Sequence, residues 1–341
     1  MDVICHYHHP IKAPLLREAI LPIAENLAGA GVGVHLERHW LHGPHIRLAL
    51  RGDEAESHAA EAAVRLRKYL STRPSPAEID TATLLAEAAE AGPVELVEPP
   101  YEPIWPDNTV RVEPPGDARM LPTLGPDGIG VRTELLRLGV PAVRAACEFL
   151  GDHGDSAASR LQVAMVALTA HAARYPAGLT AGYHSYLSHL EDFLANDDPD
   201  GRLAAQFESQ WMRHREQVLS LVERVTSGEE TWTAWSGAAW RHVESRLDAG
   251  ADLSGGAGRR RETFSEYHRL MHQADPEGAM RVRPDILTYR WCTNMLYQLL
   301  MLCDLRPLER YLAAYLVTRA VPVLTGHDWR AEMATAIRSR R

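Results

Sequence analysis

An α+β fold is what the sequence predicts: an N-terminal ferredoxin-like α+β portion and a larger, mainly helical C-terminal portion. Three patterns carry that reading. Apolar and polar residues alternate with period two over residues 34–51, VHLERHWLHGPHIRLALR. Nine prolines crowd between Gly92 and Asp127. From Val131 onward the apolar residues recur at helical spacing. The expected division is 1–127 for the α+β part with its Pro-rich connection and 128–341 for the helical part, packed together as one unit.

In order, residues 2–9 read as a short strand with β-branched Val3 and Ile4, closed by Pro10. A helix is expected over 13–28, where Leu15, Leu16, Ile20, Ile23 and Leu27 share one face, with Pro22 kinking or breaking it. Residues 34–51 form a hairpin about Leu41-His42-Gly43-Pro44. Alternation puts His45, Arg47 and Ala49 on one face of its second strand and Ile46, Leu48 and Leu50 on the other. A second helix follows over 54–70, and strand, helix, strand, strand, helix is the order of a ferredoxin-like half-domain. Ser75-Pro-Ala-Glu reads as the capped start of a third helix reaching Ala91. The prolines then exclude long helices between Gly92 and Asp127 and leave 94–97 and 109–113 as the expected strands. Helices are predicted over 131–138, 141–151, 156–175, 180–196, 203–226, 231–249, 262–273, 286–302 and 307–320, with an Arg-rich tail. The stretch 252–261, LSGGAG before three arginines, reads as a loop with a basic end.

Composition excludes several classes of function. With 45% apolar and 24% charged residues the chain has ample core material. A net charge of −9 argues against a nucleic-acid footprint, which needs a basic surface. No apolar run has membrane-spanning length. The four cysteines, Cys5, Cys147, Cys292 and Cys303, lack CxxC spacing, and no charged leader precedes an apolar segment, so free buried thiols in a reducing cytoplasm are expected.

The chemistry-bearing residues fall in a few places. Arg47, with His45 beside it, offers a rigid guanidinium that can orient a carbonyl or carboxylate; the alternative is that it caps the sheet or pairs with Glu37. The 17 histidines include His6, His8, His9 and His39, His42, His45, but no HExxH or paired CxxC accompanies them, so no metal is expected. His184 and Ser188 share a helix face, with His189 about 100 degrees further round. Tyr289, Thr293 and Tyr297 form a stripe on an apolar helix, flanked by Arg290 and Asn294, and read either as core or as the wall of a cleft. The tryptophans 211, 232, 235, 240 and 291 read mainly as packing. Arg259, Arg260 and Arg261 are the candidate basic surface for an acidic peptide, against the alternative of a solvated loop.

Gly43-Pro-His-Ile-Arg-Leu48 after a Trp-containing strand resembles the start of the C-terminal elimination domain of lantibiotic dehydratases and of the stand-alone thiopeptide enzymes built on it. Tyr186-Leu-Ser-His-Leu-Glu-Asp-Phe-Leu-Ala195 and the helical segment 287–311 are similar to further blocks of that family. The resemblance implies a leader-linked, azole-bearing precursor peptide as partner, with no nucleic acid or membrane, and a homodimer as the assembly to look for. Lantibiotic-type elimination of glutamate resembles a site with an Arg-x-Arg pair on the hairpin strand and a C-terminal His. Here Ala49 stands where the second arginine would be, and 289–294 contains no histidine. A single-Arg strand resembles instead the pyridine synthases, which join two dehydroalanines in a formal aza-four-plus-two cycloaddition and release water and the leader. That chemistry implies no cofactor, and no GxGxxG or P-loop context appears. His189 and Tyr289 are the expected proton-handling pair, with Ser188 and Tyr297 as further candidates and Arg47, His45, Arg290 and Asn294 as substrate contacts. The other activities to weigh are glutamate elimination from glutamylated Ser or Thr, and non-catalytic leader binding through an edge strand.

Overall fold

The computed structural model describes residues 1–95, 97–228, 230–254 and 264–339. Its elements group into two compact units, one of residues 1–155 with 297–304 and one of 156–296 with 305–341.

The first unit is built on a four-stranded antiparallel sheet of β1 (Asp2–His6), β2 (Gly33–His39), β3 (His45–Arg51) and β4 (Thr109–Glu113), in the order β2-β3-β1-β4. That order, with every neighbour antiparallel, is the ferredoxin-like arrangement. The registers Ile4↔Arg47, Glu37↔Arg47 and Ile4↔Arg111 divide the side chains between two faces. One carries Val3, Cys5, Val34, Leu36, Ile46, Leu48 and Leu50, all buried. The buried sides of α2 (Leu21–Gly29) and α3 (Ala55–Thr72) supply Ile23, Leu27, Leu66 and Leu70, and both helices pack on the sheet. Area removed from water drives that layer, at about 25 cal/mol per Å² of apolar surface. The other face carries Asp2, His6, His35, Glu37, His45 and Arg47, and it too is largely closed off from water.

Local chemistry explains where the elements depart from simple periodicity. The helix over 13–29 is α1 (Ala13–Leu15), a π-helical turn (Leu16–Ile20) and α2. In that turn the Leu21 N–H reaches back to the Leu16 carbonyl, so the helix is wider just where Pro22 has no N–H to give. Ser75 does not cap a helix. Its hydroxyl accepts the His9 N–H at 3.0 Å, its own N–H donates to Asn108, and α4 (Thr81–Glu95) starts later, with Asp80 accepting the Thr83 N–H at 2.7 Å. Residues 94 and 95 therefore end a helix and do not open a strand; Leu96 lies outside the described residues. The Pro-rich stretch also holds a helix start. In α5 (Leu121–Leu138) Pro122 occupies the first turn, where a missing donor is harmless, and Gly125 at φ +66° breaks the helix just ahead of Pro126. α6 (Val140–His153) follows. Residues 297–304 complete the unit: the buried Asp304 carboxylate accepts the N–H groups of Lys12 and Ala13 at 2.7–2.9 Å, capping α1, and takes the Arg38 guanidinium at 2.6 Å.

The second unit is helical: α7 (Ala157–Ala173), α8 (Leu179–Gly182), α9 (His184–Asp197), α10 (Arg202–Ser227), α11 (Thr231–Asp248), α12 (Glu266–Ala274), most of α13 (Pro284–Leu302), α14 (Pro307–Thr325) and α15 (Trp329–Arg338). α7 is its centre, capped by the Ser156 hydroxyl on the Ser159 N–H and buried over most of its length against α10, α11 and α14. The Arg-rich tail, for which no element is expected from the sequence, includes α15, capped by Asp328 on the N–H groups of Arg330 and Ala331 and packed on α12. All four cysteines are free and buried. Among the described residues no helix is long and apolar enough to cross a membrane.

Candidate functional site

In the first unit the hairpin strands bring Glu37 opposite Arg47, and Glu37 becomes the hub of a buried ion network. Arg132 from α5 grips it with two parallel bonds of 2.7 and 2.8 Å, Arg47 donates to the second carboxylate oxygen, and His35 Nε2 lies 2.9 Å from the first. Burial alone would raise the Glu37 carboxyl, but the Arg132 guanidinium, then His35 and Arg47, hold it well below the usual carboxylate range. Arg47 also reaches Asp2 at 3.3 Å, and Arg51 bridges Asp2 and Asp117 at 2.9 and 2.5 Å. The Arg47 fork is thus engaged by acids of its own sheet, and α5 covers the face that alternation alone would leave to solvent. His45 is buried with Nδ1 2.9 Å from the Gly43 carbonyl oxygen, its ring 5.2 Å from His6 and 6.0 Å from His39. Burial, and next the neighbouring His39, push it well below the ordinary imidazole range. These groups hold the hairpin in one geometry, and their chemistry is that of a satisfied polar layer.

In the second unit the polar groups gather on α9, α12, α13 and α7. His184 Nδ1 lies 3.1 Å from the Tyr267 hydroxyl, and burial, then the neighbouring His327, lower its pKa to about 4. One turn on, Ser188 Oγ is 3.1 Å from His268 Nε2, and the other nitrogen of that ring is 2.8 Å from Ser265 Oγ, so a half-buried imidazole has a hydroxyl at each end. His189, next to Ser188, is exposed. Tyr289 is buried; its hydroxyl donates to the Gly182 carbonyl at 2.7 Å, and its ring stacks on His171 at 4.6 Å. His171, wholly buried between Ser236 and Thr293 at 3.1 and 3.2 Å, is pushed down to about 3 by burial. Thr293 is fully buried, Arg290 and Asn294 are exposed, and Tyr297, half-buried, belongs to the stretch that completes the first unit. Arg259, Arg260 and Arg261 lie outside the described residues.

Chemically, the α9 and α12 face can accept and return protons through an imidazole flanked by hydroxyls, with a second imidazole exposed beside it. Sequence reasoning missed His171, Tyr267, His268 and His327. A signal existed for one of them. Ser265-Glu-Tyr-His268 is a cap followed three residues later by a hydrogen-bonding side chain, but a helix start set at Glu262 hides it. His171 and Tyr267 meet their partners only through tertiary packing, and His327 meets Glu332 across the start of α15.

The family described as "Lantibiotic biosynthesis dehydratase C-term" matches residues 3–321. No curated protein sequence matches the chain. Among solved structures the chain is similar to "Pyridine synthase, TbtD, from thiomuracin biosynthesis", with a TM-score of 0.70 and 21% identity, covering 95% of this chain and 98% of that one. It is also similar to TsrL, with a TM-score of 0.63 and 17% identity over 100% and 98% of the two chains. At these identities the likeness is one of fold.

Proposed function

Because the chain belongs to the lantibiotic biosynthesis dehydratase C-terminal family, we propose that it acts as a thiopeptide pyridine synthase on a leader-linked, azole-bearing peptide. The reaction joins two dehydroalanines in a formal aza-four-plus-two cycloaddition that closes a macrocycle. Loss of water and of the leader, as its carboxamide, then aromatises the ring. Holding two remote alkenes together is the entropic part of the task, for which a preorganised surface serves. Tautomerising the amide and completing the eliminations need groups that give and take protons near neutral pH.

The observation that carries this reading over glutamate elimination is the state of Arg47. Gripping a glutamyl carboxylate calls for a guanidinium with its fork unoccupied, and the fork of Arg47 is held by Glu37 and Asp2 while the strand has Ala49 two residues on. We assign proton transfer to Ser188, His189 and His268 on α9 and α12, and give Tyr289 the role of a brace whose hydroxyl fixes the Gly182 carbonyl.

Mass spectrometry of a dehydrated precursor incubated with the protein alone tests the proposal. A cyclised product together with released leader supports it. Loss of glutamate from a glutamylated peptide would replace it with elimination, and saturable binding of an unchanged peptide would make the protein a binding module.

A further inference from the structure

The geometry points to a divalent metal site of the zinc class formed by His184, His327 and Glu332 in the second unit, separate in its chemistry from the peptide reaction proposed above. The donor atoms of the three side chains lie within 4.8 Å of one another. Two imidazoles and one carboxylate are a recognised donor set for zinc, leaving a fourth position for water, and borderline-soft imidazole disfavours magnesium and calcium. Zinc bonds of about 2.1 Å place tetrahedral donors about 3.4 Å apart, so the Glu332 oxygen, 2.5 Å from His327 Nδ1, needs to move off by roughly 1 Å to admit the ion. Glu332, with 55% of its side chain exposed, has the freedom to do so.

Each ligand is supported in the manner such sites require. His184 has its Nδ1 3.1 Å from the Tyr267 hydroxyl, which fixes the ring and, with Nδ1 as donor, leaves Nε2 as the lone-pair nitrogen. His327 has its Nδ1 2.5 Å from Glu332, so Nδ1 is the nitrogen it turns toward the site, while its Nε2, on the far side of the ring, is buried with no hydrogen-bond partner. The hydroxyl of Tyr183, whose ring meets that of His327 edge-on at 5.7 Å, is likewise buried and unpartnered. The backbone holds His327 in place from both sides. Gly326 ends α14 in the left-handed conformation at φ +70°, and Asp328 caps α15, in whose first turn Glu332 lies.

A second cluster of donors, His35, Glu37 and Asp117, shows what such a site cannot be. Its carboxylates already neutralise Arg47, Arg51 and Arg132, and a dication would face three guanidiniums. No arginine is paired with Glu332 among the described ion pairs, and its carboxylate faces His327.

The test uses the full chain, stripped with chelator and titrated with zinc chloride by calorimetry, alongside magnesium chloride. Expected are one zinc per chain, no magnesium binding, and a higher melting temperature with zinc, since a ligand that binds the folded state stabilises it. Glu332→Gln should weaken zinc by about tenfold or more, and His184→Ala with His327→Ala should abolish the site. Cobalt chloride added to the unaltered chain provides a check that needs no variant: the intense visible bands of four-coordinate cobalt are expected. Zinc affinity equal in the double variant, or a cobalt spectrum of octahedral type, would overturn the assignment. Neither measurement depends on peptide turnover, so the metal site and the pyridine synthase reading fail separately.

Discussion

Glu37 shows how much one carboxylate can organise. Two guanidiniums and an imidazole converge on it in the interior, so Glu37→Gln, nearly the same shape without the charge, leaves Arg132 without its acid and Arg47 with Asp2 alone. Breaking a buried pair this way costs about 3–5 kcal/mol, which urea denaturation should register as a lower midpoint. His171 gives a pH signature. Its folded pKa is about 3 against an ordinary 6.5, so between those values only the unfolded chain binds the proton. Stability from this residue is therefore complete above pH 6.5 and declines as pH falls toward 3, by about 1.4 kcal/mol per pH unit. A His171→Gln variant should show a shallower fall of melting temperature between pH 6 and 4. Tyr289→Phe separates brace from proton donor: the expected result is turnover within threefold of the parent and a stability loss of about 1 kcal/mol, whereas stalled product formation with peptide binding intact would return Tyr289 to the chemistry. Much of this scale was not legible in the sequence. Arg47 could be read as free or paired, and only the α5 residue Arg132, far along the chain, completes the acid's shell.

Elements were more legible, because their signals are local. The hairpin, α10 and α11 follow directly from spacing, and the Ser156 cap marks the start of α7. Ser156→Ala should lower stability by about 1 kcal/mol in chemical denaturation, since the Ser159 N–H loses its acceptor at the head of a central helix. The misread elements share a cause. Ser75 has the composition of a cap but is used to tie His9 to Asn108, and the prolines near α5 have the composition of helix breakers although the first turn of a helix tolerates them. In both places a tertiary bond or a single positive-φ glycine outweighs the local preference. The π turn before Pro22 is the reverse case: proline's missing donor was visible, and the backbone answered it without ending the helix.

For the whole molecule, the order of strands and helices was enough to give the ferredoxin-like sheet and the helical portion, because connectivity is written in sequence order. What sequence order conceals is the return of residues 297–304 to the first unit, where Asp304 caps the helix that begins at Ala13. That return sets the timetable of folding. Contacts that close over most of a chain form late, because loop closure must precede any gain from them. During synthesis the cap of α1 must wait for the ribosome to deliver Asp304. A nascent chain stalled before that residue should be cut by protease around Lys12, and release of the remaining segment should protect it.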